Sequence, residues 1–173
     1  MTKKKRIILV LFTILSCVGC DQVTKMIAKS HLPRDRVLSF AGDTLRLDYA
    51  VNKGAVLSFE PFVPEGWQGF NFTIAVAALL SLIFLCLLLV SALRPLSVVA
   101  LSLLCGGILG NFLDRIAFGG DVVDFLNLGW GGLRTGIFNV ADAAITIGVW
   151  LFVLGMVRKL RPSAFLRLTR SNR

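Results

Sequence analysis

At 173 residues, 55% hydrophobic and with a mean hydropathy of +0.77, the chain is too apolar for a water-soluble domain of its size. Its formal charge of +9 would suit a nucleic-acid binder, but the placement of that charge argues otherwise. Eleven of the nineteen basic residues (Lys3 to Arg6, Arg94, and six from Arg158 to Arg173) fall on one side of a four-span arrangement, whereas the other eight and all ten acids fall on the opposite side.

The first candidate span covers about residues 7–23, with Asp21 near its far end. Residues 1–21 also imitate a lipoprotein signal peptide: a basic Lys3-Lys4-Lys5-Arg6, an apolar run from Ile7 to Leu15, and Val18-Gly19-Cys20 in the manner of a lipobox. Cys17 occupies a position usually held by a Leu-like residue, and further spans follow, so Cys20 is expected to stay unmodified. The four cysteines, Cys17, Cys20, Cys86 and Cys105, all lie inside apolar spans. With no second CxxC and His31 as the only histidine, they read as packing residues.

An outer segment of about residues 29–69 follows. Leu45, Leu47, Tyr49 and Val51 alternate with Arg46, Asp48 and Ala50, the period of a half-buried strand. Asn52-Lys53-Gly54 supplies a turn, and Ala55 to Phe59 reads as a returning strand, giving a small β-sheet on the outer membrane surface. Pro61, Pro64, Gly66 and Trp67 lead into a second span over about 70–93, which carries only scattered polar residues and reads as a packing helix.

The third span, about 96–113, ends on Gly106-Gly107-Ile108-Leu109-Gly110-Asn111-Phe112-Leu113-Asp114-Arg115. Gly106 and Gly110 have GxxxG spacing, which admits a neighbouring helix or an acyl chain close to the backbone. At helical spacing Gly107, Asn111, Asp114 and Arg115 share a face. A loop from Ile116 to Gly136 returns the chain to the fourth span, about 138–157. Each hydrocarbon crossing needs about 30 Å of apolar helix. The four spans make one integral membrane domain over residues 1–173, a mainly α fold of four transmembrane helices with the surface sheet.

Two carboxylates stand out. Asp124 is set in an apolar strip of Val122, Val123, Phe125 and Leu126, and Asp142 heads a stretch with no further charge to Val157. Carboxylates at a hydrocarbon boundary are costly to ionise. Brought together they would share one proton, leaving a base for water and an acid for the leaving group. A plainer reading of Asp142 is an acidic partner at the third position of a helix capped by Asn139. Asp21 and Lys25, at i,i+4, could be a simple interfacial ion pair. Asn52 with Gly54 could be a turn alone, and Arg115 beside Asp114 an interface anchor.

Taken together, five segments resemble the lipoprotein signal peptidase (signal peptidase II) family. They are Asp21-Gln22-Val23-Thr24-Lys25, Asn52-Lys53-Gly54-Ala55, the Gly106 to Arg115 run, Val122-Val123-Asp124-Phe125, and Phe138-Asn139-Val140-Ala141-Asp142-Ala143-Ala144, in the family's order. The resemblance implies a four-helix bundle with an outer-surface sheet in the bacterial cytoplasmic (inner) membrane. It also implies cleavage of diacylglyceryl-modified prolipoproteins just before the lipidated cysteine. It makes Asp124 and Asp142 the catalytic pair, and Asp21, Lys25, Asn52, Gly54, Asn111, Asp114, Arg115 and Asn139 substrate-binding or supporting residues. The chain departs from the family where Gly54-Ala55-Val56-Leu57 replaces an Ala-Ala-Phe continuation. That change is expected to alter substrate or inhibitor fit rather than catalysis.

A metal hydrolase built on Asp114, Asp121, Asp124 and Asp142 is the nearest rival, although the lone His31 disfavours zinc. A transporter would place its charges at mid-membrane, whereas here they collect at one interface. The expectation is therefore an aspartyl protease with no metal or cofactor, working as a monomer on prolipoprotein substrates amid membrane lipid, without nucleic acid. The charge asymmetry puts both termini in the cytoplasm and the carboxylates at the outer face. Cysteine-accessibility labelling should find single cysteines at positions 2 and 172 protected from an impermeant reagent outside intact cells. Labelling of either from outside would reverse the arrangement.

Overall fold

The computed structural model describes residues 1–52, 70–90 and 93–170. Elements run in the order α1 (Lys3–His31), β1 (Leu38–Phe40), β2 (Leu45–Asn52), α2 (Phe70–Leu89), α3 (Pro95–Ala117), β3 (Val122–Trp130), β4 (Leu133–Arg134) and α4 (Val140–Arg170). Gly54, the expected returning strand at 55–59 and the Val56-Leu57 departure lie outside the described residues.

Among the described residues three helices are long and apolar enough to cross a membrane: α1, α3, and α4 over Val140–Val157. In α2 the apolar stretch is the shorter Ala78–Leu87. The three spanning helices follow from sequence at three of the expected places, but α1 does not stop near residue 23. It continues to His31, because Asp21 and Lys25 are buried within the protein instead of marking an exit into water.

The buried positions of α1 are Arg6, Val10, Ile14, Cys17, Asp21, Lys25 and Ala28. Their steps of four, four and three, taken twice, draw one stripe along the helix. That stripe lies on α3, the central helix, which also packs against α2 and α4. The outer faces keep their apolar side chains exposed: Phe12 is 70% exposed, Leu15 69% and Trp150 71%. A surface of that kind suits hydrocarbon, not water.

In lipid, apolar side chains gain little by leaving their surroundings, so helices associate through close backbone packing. The α3 glycines do this in two directions. A Cβ on Gly106 would lie 2.9 Å from Cys17 Cβ of α1. On Gly107 it would lie 2.5 Å from the Ala141 carbonyl of α4, and on Gly148 of α4 it would lie 2.8 Å from the Ala100 carbonyl of α3. Of the two occupants the GxxxG spacing allowed, helices fill the surface. Acyl chains must find room elsewhere.

The strands form one antiparallel sheet in the order β1-β2-β3-β4. β2 matches the alternation seen over residues 45–51, with a register shift between Leu47 and Ala50. β3 and β4 occupy what the sequence presented as a loop. The reason is burial on both faces: Val122 through Phe125 are all buried, so apolar residues stand at successive positions and show no period of two. Val123 and Phe125 form a core with Ala28 of α1, joined by Leu32, Leu47, Tyr49, Leu126 and Val140. After β4, Phe138 pairs back onto Leu126, its N–H donating to the Leu126 carbonyl and its carbonyl accepting from the Leu126 N–H, both at 2.8 Å. This bridge delivers residue 139 to the middle of β3.

Gly107→Ala should push α4 away from α3, since backbone carbonyl and Ile145 both stand in the way of a Cβ. We expect a loss of roughly 1–3 kcal/mol, read as a lowered unfolding temperature in detergent. Gly19→Ala, where a Cβ meets nothing within 4 Å, should be neutral or slightly stabilising.

Candidate active site

The site begins at the first turn of α4. Asn139 is its N-cap: its carbonyl accepts the Ala143 N–H at 3.1 Å, and its Oδ1 accepts the Asp142 N–H at 2.9 Å. In return the Asn139 N–H donates to Asp142 Oδ2 at 3.2 Å. This reciprocal pair closes a capping box, with Asp taking the usual place of Glu. The capping role foreseen for Asp142 is therefore real. It does not exhaust the residue, because Asp142 Oδ1 also accepts the Asn111 amide of α3 at 2.8 Å, and Asp142 lines a cavity.

Asp124 reaches the same place from β3. Its Oδ1 accepts the Asn139 side-chain amide at 2.6 Å, and its Oδ2 accepts that of Asn52, the last residue of β2, at 3.2 Å. Asp124 is only 4% exposed. Burial foremost, and then the charge of Asp142, push its carboxyl up to about 6 from 3.8, against the pull of the two amides. The carboxylate pair expected from sequence is thus brought to one cavity from two elements.

Behind the pair lies a polar cluster of α1 and α3. Lys25 Nζ is ion-paired with Asp21 Oδ2 at 2.7 Å and Asp114 Oδ2 at 2.9 Å, and it donates to Asn111 Oδ1 at 2.9 Å. Lys25, Asp21 and Asp114 are each no more than 1% exposed. An interfacial ion pair was the plainer expectation for Asp21 and Lys25, and the tertiary contacts turn it into a fully buried three-way junction. Asp21 Oδ1 accepts the Ala141 N–H at 2.8 Å, taking up another unpaired donor of the α4 terminus. Gln22 was not singled out from sequence, yet its amide donates to Asp114 Oδ1 at 2.9 Å and to the Gly110 carbonyl at 3.2 Å. Its only signal was a polar residue flanking Asp21 inside an apolar helix.

Arg115 lines the cavity and donates to the Asn111 carbonyl at 3.3 Å. Asp114 is committed to Lys25 and Gln22, and Asp121 sits in the turn before β3. Asp114 is thereby withdrawn from the cavity that Asp124 and Asp142 line, and among the described residues no group of three or more His, Cys, Asp or Glu is placed to hold a metal.

The cavity measures about 820 Å³. Asn52, Asn111, Arg115, Asp124 and Asp142 give it polar walls, while Leu79, Leu104, Ile108, Phe112, Ile145 and Ile147 give it apolar ones. A polar reaction site thus opens onto an apolar space bounded by spanning helices.

Sequence and fold place the chain among known proteins. A family model described as "Signal peptidase (SPase) II" matches residues 13–158. A protein of Syntrophus aciditrophicus (strain SB) named lipoprotein signal peptidase is 37% identical over 161 residues, covering 93% of this chain and 99% of the relative. One of the same name from Janthinobacterium sp. (strain Marseille) is 41% identical over 148 residues, 81% and 82% of the two chains. A solved bacterial membrane enzyme, determined by the in meso method at 2.3 Å, shares the fold with a TM-score of 0.73. It is 27% identical and the match covers 92% of each chain.

The Asp124 carboxyl should be visible spectroscopically. Its native value lies above the unfolded one, so it holds a proton that the unfolded chain would release. Its contribution to stability is full below about pH 4 and is lost as pH rises through about 6. Difference infrared titration should show a protonated-carboxyl band that disappears around pH 6 and is missing in Asp124→Asn. A band unaffected by that substitution would place the proton elsewhere.

Proposed function

The chain belongs to the signal peptidase II family, and from that premise we propose that it is an intramembrane aspartyl endopeptidase. It removes signal peptides from diacylglyceryl-modified prolipoproteins, cutting just before the lipidated cysteine. The observation that carries this reading is the meeting of Asp124 and Asp142 on one cavity wall, each oriented by side-chain amide donors.

Peptide hydrolysis requires a water to lose a proton as it attacks the scissile carbonyl, and the leaving amine to gain one. An ionised carboxylate takes the first proton. Its protonated neighbour supplies the second, and the tetrahedral adduct collapses with the C–N bond broken. A raised carboxyl at Asp124 supports a pair that holds one proton near neutral pH. The apolar walls suit the acyl chains of a lipidated substrate, and binding energy gained there would hold the peptide against the pair. In this reading α2 completes a four-span bundle, both termini face the cytoplasm, and the sheet lies at the outer surface. Asn52, Gly54, Asn111, Arg115 and Asn139 bind substrate or orient the carboxylates, with Asp21, Lys25 and Asp114 supporting them from behind. One chain suffices, with no cofactor.

Purified protein should cleave a diacylglyceryl-modified prolipoprotein, and strong chelation should leave the rate unchanged. Asp124→Asn and Asp142→Asn should each abolish turnover, with the double variant little worse, since residues acting as a unit are not additive. An unlipidated precursor should lose most of its rate. Near-normal cleavage by either folded Asn variant would overturn the aspartyl mechanism.

A further inference from the structure

Two carboxylates can share a proton in either sense, and the amides around them differ in what they permit. Lys25 carries three donors and no acceptor. It is ion-paired with Asp21 at 2.7 Å and with Asp114 at 2.9 Å, and its hydrogen bond goes to Asn111, which turns Oδ1 toward it at 2.9 Å because a cation with donors alone accepts no amide N–H. The Asn139 amide reinforces this by donating to the same oxygen at 3.1 Å. Asn111 is left with only Nδ2 for Asp142, to which it donates at 2.8 Å. The second oxygen of Asp142 receives a backbone N–H, which cannot reverse its polarity. Both contacts therefore favour the carboxylate. Asp124 likewise receives two amides, from Asn139 at 2.6 Å on Oδ1 and from Asn52 at 3.2 Å on Oδ2, but it is the more deeply buried member, and burial favours the neutral form.

We propose that Lys25 is a positioning residue which, by fixing the orientation of the Asn111 amide, makes Asp142 the ionised member of the pair and leaves the shared proton on Asp124. The assignment rests on the aspartyl reading above. It makes Asp142 the base that takes the proton of water and Asp124 the acid that protonates the leaving amine. Lys25, Asp21 and Asp114 do not line the cavity, and Asn111 is the hydrogen-bond partner of Lys25 that does. The charged groups facing Asp142 are Asp124 of β3 and Arg115 of α3. Asp114 of α3 and Asp21 and Lys25 of α1 stand one layer behind.

The test is the pH–rate profile of cleavage of a diacylglyceryl-modified prolipoprotein, whose acidic limb reports loss of the first proton from the pair. Asn111→Leu keeps both ion pairs of Lys25 while removing the donor to Asp142. It should move the acidic limb up by about one pH unit and lower kcat more than it raises KM. Lys25→Met should move the limb in the same direction, and the double variant no further than Asn111→Leu alone. Lys25→Gln, which keeps amide donors in the cluster, replaces Lys25→Met if the latter does not insert as a folded protein. Where turnover is too slow to titrate, the earlier of the two infrared carboxyl steps, the one that precedes the Asp124 step near pH 6, gives the same reading. An unmoved limb in Asn111→Leu overturns the proposal, as does a double variant whose movement is the sum of the singles, which would make Lys25 a bare charge acting through space. Cleavage surviving in Asp124→Asn or Asp142→Asn would instead remove the pair itself. Inactive Asn variants beside an unmoved limb would remove the relay alone.

Discussion

An ammonium ion at 1% exposure has to find three acceptors or lose its charge, and the rest of this molecule is arranged around how Lys25 finds them. Asp21 comes from its own helix one turn back, while Asp114 and Asn111 come from α3. Meeting that need fixes the register of α1 against α3. Asp21 then reaches past Lys25 to the Ala141 N–H, so the junction also fixes where α4 begins. Removing one partner would strand a buried charge, which makes the cluster a constraint on geometry more than a source of stability.

The start of α4 joins that junction to the chemistry. Asn139 caps the helix through its Oδ1 and turns its amide to Asp124, so one side chain ties the capping box to β3. Asp142 answers the cap with one oxygen and Asn111 with the other. Structural and catalytic readings of this residue are therefore compatible: the capping box is what holds the carboxylate in position. The Phe138–Leu126 bridge completes the arrangement by setting the last residue before the cap against the strand that carries Asp124.

The apolar surroundings explain why so polar a centre can persist. Small residues at the α3–α4 contact let the backbones approach, and the exposed faces of α1 and α4 meet lipid. The cavity is lined both by helices and by the sheet, so polar and apolar walls meet in one space. Between β1 and β2, Asp43 accepts from Arg46 and Ser39, which hold its carboxyl below the usual range. That exposed group shows the opposite response to Asp124, because opposite charge rather than burial governs it.

The sequence by itself determined the membrane class, the three long apolar helices, the β2 alternation and the identities of the polar residues. Each of these is a property of spacing along one segment, set by hydropathy, period or motif. It could not show that β3 is a strand, because burial on both faces erases the alternation by which strands are read. Nor could it show that the capping residue Asp142 shares a cavity with Asp124, or separate an interfacial pair from a buried junction at Asp21 and Lys25. Those distinctions depend on which groups from distant segments share one unhydrated space. Only the tertiary structure decided them, since the acceptors of Lys25 and the donors to Asp124 and Asp142 come from elements far apart in the chain.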